Sequence, residues 1–104
     1  PVQLFDEVDA GVGGEAAHRI GEALAALAAD RQVLVVTHLA QVAAYADHQM
    51  LVAKVDDGHS AVASVRPLDV DERVVELSRM LSGSPDSETA RGHATELLHA
   101  ARGL

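Results

Sequence analysis

Two short segments carry the residues best suited to chemistry. In Leu4-Phe5-Asp6-Glu7-Val8-Asp9 an apolar run ends in adjacent carboxylates, and in Val35-Val36-Thr37-His38 a second run ends in a histidine. His38 lies 31 positions after Glu7 (38 − 7). An aspartate at the end of a strand can hold Mg²⁺, which takes oxygen ligands and keeps several of its waters. The next residue points to the other side of an extended chain and can address a water molecule. A neutral imidazole can donate to or accept from a phosphate or the attacking water. Open α/β sheets place ligand chemistry just beyond the carboxyl ends of their strands. Two such tips on neighbouring strands would form the hydrolytic side of a nucleoside-triphosphate site. The plainer alternatives are a solvated acidic strand end and a surface or helix-capping histidine.

The phosphate cradle that such a site needs is missing from the sequence. A P-loop requires the pattern G-x-x-x-x-G-K-[ST], and the only lysine, Lys54, is followed by Val55 in a β-prone run. Gly11, Gly13 and Gly14 follow the acidic segment. They can bring backbone close to a phosphate at a helix start, or simply make a tight strand-to-helix turn. Their spacing does not meet the dinucleotide fingerprint. Leu81-Ser82-Gly83-Ser84 superficially resembles part of an ABC signature but reads as a helix ending. His18, His48, His59, His93 and His99 have no ligand spacing, read as surface residues and imply no zinc site.

Composition narrows the class. A chain of 104 residues is one domain or part of one. With 48% hydrophobic but only 2% aromatic residues, the core must be aliphatic, which suits a parallel sheet covered by helices. A net charge of −8 makes this piece a poor binder of phosphate backbones. The absence of cysteine excludes disulfides and thiolate metal sites. No apolar run is long enough to suggest a membrane span, and no signal-peptide pattern is present. A cytoplasmic setting is the default. The chain opens on Pro1 and runs directly into a strand-like segment, which reads as a fragment of a longer chain.

These residues must be positioned by a β-α-β-α-β-β-α-α succession. Val2–Phe5 and Val33–Val36 read as fully buried strands. A helix over Glu15–Ala29 carries Ile20, Leu24, Leu27 and Ala28 on one face, and a short helix covers about Leu39–Ala46. Met50–Val55 and Ala61–Val65 form a hairpin around Asp57-Gly58. Asp69 and Glu72 predict a capping box on a helix with a Val70, Val74, Leu77, Leu81 stripe, stopped by Gly83. Ser84-Pro85 opens a last helix whose apolar face is Ala90, Ala94, Leu97, Leu98 and Ala101.

LFDEVD, DAGVGG and VVTH together resemble the Walker B segment with its catalytic glutamate, the D-loop and the H-loop of ABC-type ATPase heads. The closer resemblance is to the RecN family of SMC-like DNA repair ATPases. It is carried by FDEVDAGVGGEAA, VLVVTHLAQVAAYAD and ERVVELSRMLSG…TARGHATELL, and covers nearly the whole chain. The resemblance implies an α/β fold, with residues 1–104 forming the C-terminal half of an ATPase head. Walker A, the Q-loop, the signature and a coiled-coil arm would lie N-terminal to it.

Carried over by position, Asp6 would hold Mg, while Glu7 and His38 would be catalytic. Asp9, Gly11, Gly13 and Gly14 would form the D-loop region toward the nucleotide and the dimer interface. Gly13 stands where many ABC proteins carry an aspartate. ATP and Mg are the implied cofactors. The implied partners are the N-terminal half of the head, a second head in a homodimer, and DNA through the full-length protein. The implied function is ATP-dependent double-strand break repair in the cytoplasm, at the nucleoid, with the isolated piece inactive. The rivals are another SMC or ABC-type ATPase of DNA maintenance and a non-catalytic dimerisation module.

Overall fold

A computed structural model describes residues 2–6, 11, 13–56, 58–83 and 86–102. The elements are β1 (Val2–Asp6), α1 (Gly14–Leu27), β2 (Gln32–Val36), α2 (Ala40–Ala43), β3 (Gln49–Asp56), β4 (Ala61–Leu68), α3 (Val70–Ser82) and α4 (Glu88–Ala101). Their order is the one the sequence predicts, and the fold is α/β.

β1 and β2 pair in parallel, joined by the α1 crossover, with Leu4 opposite Leu34 and Asp6 opposite Val36. The expectation that both strands are fully buried is corrected. Val2, Leu4, Leu34 and Val36 share one face of this ribbon and are exposed, Leu4 at 67%. Gln3, Phe5, Val33 and Val35, on the other face, are half-buried. Two strands make too narrow a sheet to enclose both of its faces.

β3 and β4 form a separate antiparallel ribbon, with Val52 opposite Val65 and Asp56 opposite Ala61. At the turn Gly58 has φ of 86°, and its N–H donates to Asp56 Oδ1 at 2.9 Å. That arrangement is an Asx-type turn closing the hairpin. Asp57 lies outside the described residues.

The core is helical. Ala40, Ala43 and Ala44 pack with Leu77 of α3 and with Ala94, Leu97 and Leu98 of α4, and Val74, Met80, Leu81 and Ala101 surround them. α3 is closed at both ends. Asp69 Oδ1 accepts from Glu72 N–H at 2.8 Å while Glu72 Oε1 accepts from Asp69 N–H at 3.1 Å. Gly83 ends the helix in a left-handed conformation with φ of 76°, which settles Leu81-Ser82-Gly83 as a helix ending. The buried face of α3 is turned from the predicted stripe: Val70 is exposed, whereas Arg73, Leu77 and Ser78 are buried. α4 begins later than Ser84-Pro85, which lie outside the described residues. Its first helical residue is Glu88, capped by Ser87, whose Oγ accepts from Ala90 N–H at 3.2 Å.

On α1 the stripe residues Ile20, Leu24, Leu27 and Ala28 are half-buried, and the fully buried positions are Ala17 and Gly21. The Tyr45 ring fills the space beside Gly21 and meets His18 edge-on at 6.2 Å. His18 is therefore half-buried rather than a surface residue, since the ring of Tyr45 covers it. Among the described residues no helix is long and apolar enough to cross a membrane.

Candidate functional site

The parallel register fixes where the chemistry-bearing residues stand. Asp6 is the last residue of β1, level with Val36 at the end of β2, and His38 follows Val36 by two positions. The carboxylate and the imidazole thus sit at the same, carboxyl, end of two adjacent strands. This is where open α/β sheets bind ligands. Asp6 belongs to the open face, with Val2 and Leu4, so its carboxylate is exposed to solvent. His38 is exposed as well. Glu7 and Asp9 lie outside the described residues.

Between β2 and α2 the chain turns sharply around His38. Thr37 Oγ1 accepts the N–H of Leu39 at 3.0 Å, and Leu39 is the N-cap of α2. Its carbonyl accepts from Val42 and Ala43 at 3.1 and 3.0 Å. His38 is thereby held between a strand end in fixed register and the first turn of a helix.

The glycine segment behaves as a strand-to-helix turn. Gly11 and Gly14 have φ of 75° and 57°, a left-handed backbone that other residues adopt at a cost. Gly13 is the N-cap of α1 and offers no side-chain hydrogen bond to the first-turn amides. Among the described residues, a Cβ at Gly11, Gly13 or Gly14 would meet nothing within 4 Å. At Gly11 and Gly14 the missing side chain therefore serves backbone conformation, whereas Gly13 is extended, with φ of −142°.

No group of three or more His, Asp or Glu side chains able to hold a metal converges among the described residues. Two shallow grooves lie elsewhere. One is lined by Leu51, Arg66, Leu68, Glu72, Val75 and Glu76, between the hairpin and α3. The other is lined by Val70, Val74, Thr95, Leu98, His99 and Arg102, between α3 and α4. Neither includes Asp6 or His38.

The residue that sequence reasoning missed is Arg73. Only 3% exposed, it donates from Nε to Gln49 Oε1 at 3.1 Å and from Nη2 to the carbonyls of Ala43 and Ala46 at 3.2 and 3.0 Å. Burial pushes its pKa below the ordinary arginine value, nearby Arg102 adds to that, and Asp47 opposes it. The signal was present in the sequence. Arg73 stands four residues before Leu77, one helical turn from a core leucine on the same face, which hints at its burial but not at its partners.

No protein-family model matches the chain. Among curated proteins, the DNA repair protein RecN of Streptomyces coelicolor is 63% identical over 102 residues, which are 98% of this chain and 18% of that protein. RecN of Deinococcus radiodurans is 58% identical over 99 residues, 94% of this chain and 17% of its own length. RecN of Vibrio cholerae is 43% identical over 101 residues, 97% and 18% respectively. The chain thus spans less than a fifth of the curated relatives it matches. A solved structure from work on "ATP-driven dimerization and DNA stimulated activation of SMC ATPases" superposes with a TM-score of 0.61 at 26% identity, covering 69% of this chain and 42% of its own.

Proposed function

From the premise that this chain is RecN-family sequence, we propose that it supplies the hydrolytic side of the ATPase head in a DNA repair protein. The observation that supports this most is the parallel pairing of β1 with β2. Asp6 and Val36 are level, so the acidic tip and the histidine tip leave the sheet at one end. The SMC ATPase likeness at 26% identity supports the same reading.

In this reading Asp6 is the protein's contribution to a Mg²⁺ site. The donor set fits: an exposed carboxylate at the carboxyl end of a parallel strand. Mg²⁺ is commonly bound by one or two carboxylates together with waters and substrate phosphates. When bound with ATP, the ion neutralises charge on the transferring phosphoryl group. Glu7, the next residue in sequence, orients the attacking water and accepts hydrogen bonds from it. His38 directs its imidazole toward the γ-phosphate or that water. Asp9, Gly11, Gly13 and Gly14 carry backbone toward the nucleotide and toward a second head, so the ATP site is shared within a homodimer. Residues 1–104 are the C-terminal half of the head, and the remaining half supplies the phosphate cradle. DNA is engaged through the full-length protein, in the cytoplasm at the nucleoid.

The test is Glu7→Gln in the full-length protein that carries this segment. ATP binding should persist while turnover is nearly abolished, because an amide cannot polarise water as a carboxylate does. Turnover within about threefold of the parent, less than ~1 kcal/mol of barrier, would remove Glu7 from the hydrolytic role.

A further inference from the structure

Helix α2 begins two residues after His38 and is only four residues long, Ala40–Ala43. A helix this short has no stability of its own, since nucleation outweighs the few bonds gained. Its geometry, and with it the direction in which the chain leaves His38, must be imposed from outside. Apolar packing of Ala40, Ala43 and Ala44 against Leu77, Ala94 and Leu97 supplies contact but engages none of the carbonyls at the end of the helix. The oriented contact is the Arg73 guanidinium. Its Nη2 reaches the carbonyls of Ala43 and Ala46, at and just beyond the C-terminal end of α2, and its Nε is fixed by Gln49 Oε1.

We infer that Arg73 is a positioning residue for His38, acting from the core through the C-terminal carbonyls of α2. The inference rests on the reading of His38 given above. Burying a guanidinium is costly, and an apolar side chain of similar volume often stabilises a core as well or better. What an apolar residue cannot do is present donors in a rigid planar fork. All three hydrogen bonds go to uncharged oxygens on two segments, the end of α2 and the start of β3, while Arg73 itself belongs to α3. At the other end of α2, Thr37 Oγ1 holds the Leu39 amide. His38 lies between Thr37 and Leu39, so the orientation of α2 and the setting of His38 are mechanically one unit.

The experiment uses Arg73→Lys in the full-length protein, read by steady-state ATP hydrolysis, with Arg73→Met as the second variant. Lysine keeps the charge and one or two of the bonds but not the fork. Arg73→Lys should melt close to the parent yet lose at least about fivefold in kcat, with KM for ATP within about twofold. Added to His38→Ala, it should cause no further loss, because it acts through the residue already removed. A kcat within about twofold of the parent, or losses that multiply in the double variant, would overturn the inference and leave Arg73 a purely structural residue. Should Arg73→Met fail to fold, Arg73→Lys alone decides. If His38→Ala leaves turnover unchanged, His38 has no part in hydrolysis, and Arg73 is judged by hydrogen exchange. Amides of Ala43 to Ala46 exchanging about tenfold faster in Arg73→Lys would sustain the tether, and unchanged exchange would overturn it.

Discussion

The ring of Tyr45 packs against Gly21 so closely that a Cβ built on that glycine would collide with Cδ2 of the ring. This contact ties α1 to the segment that follows α2, and the hydroxyl of Tyr45 extends it by donating to Glu22 Oε1 at 3.4 Å. Gly21→Ala should therefore destabilise the protein even though alanine is the better helix former. Overpacking costs about 1–3 kcal/mol, against about 1 kcal/mol of helix propensity regained. Thermal melting should show a lower midpoint, restored in part by combining Gly21→Ala with Tyr45→Ala.

The capping box gives a prediction with a sign in pH. Asp69→Ala should cost about 1 kcal/mol, as loss of an N-cap does. The carboxyl of Glu72 is held below the ordinary glutamate value of 4.5, first by its hydrogen bond with Arg66 and then by the Asp69 amide. A group whose pKa is lowered on folding contributes stability above its unfolded value, and that contribution is lost as pH falls through the folded one. Melts taken downward from pH 4.5 should show this loss, and Glu72→Gln should flatten it. An unchanged acid limb in Glu72→Gln would place the sensitivity elsewhere.

Ser78 is wholly buried on α3, and among the described residues its hydroxyl has no hydrogen-bond partner. Ser78→Ala removes an unsatisfied polar group and adds helix propensity. The variant should be more stable by about 0.5–1.5 kcal/mol in denaturant titration. A loss of stability would show that the packing of the hydroxyl outweighs the cost of burying it unpaired.

Leu4 and Leu34 face each other across the open side of the first ribbon and are 67% and 46% exposed. Replacing them together, as Leu4→Lys with Leu34→Glu, should leave the melting of the isolated chain within about 0.5 kcal/mol and reduce its self-association in sedimentation. In the full-length protein, if a further layer of the head covers this face, the same pair buries charge and should be strongly destabilising. Equal tolerance in both settings would contradict the half-head architecture and favour an independent module.

Much of the fold was legible because its signals are local. Asp69, Glu72 and Gly83 announce the ends of α3 through backbone chemistry that needs no tertiary context, and Asp57-Gly58 marks the hairpin in the same way. The apolar run Val33–Val36 was equally plain as a strand, but a run of that kind does not report how many of its faces are covered. That is why Leu34 and Val36 were expected to be buried and are exposed. For the candidate site, the pairing of β1 and β2 follows from the βαβ pattern. The role of Arg73 did not, because a single arginine in a helix is ordinarily a solvated side chain. Only the structure shows that its partners lie 24 to 30 residues away in sequence.

The make-up of the core also sets a schedule for synthesis. Ala40, Ala43 and Ala44 find their partners in Leu77, Ala94, Leu97 and Leu98, which a ribosome delivers more than thirty residues later. The α2 segment must therefore wait outside the exit tunnel, with its apolar surface uncovered, until α4 has emerged. At roughly 5–20 residues per second, that interval lasts several seconds. Slowing translation between α2 and α4 would lengthen this exposure without changing the native structure. The nascent chain is most vulnerable to aggregation, and most in need of a chaperone, over that stretch.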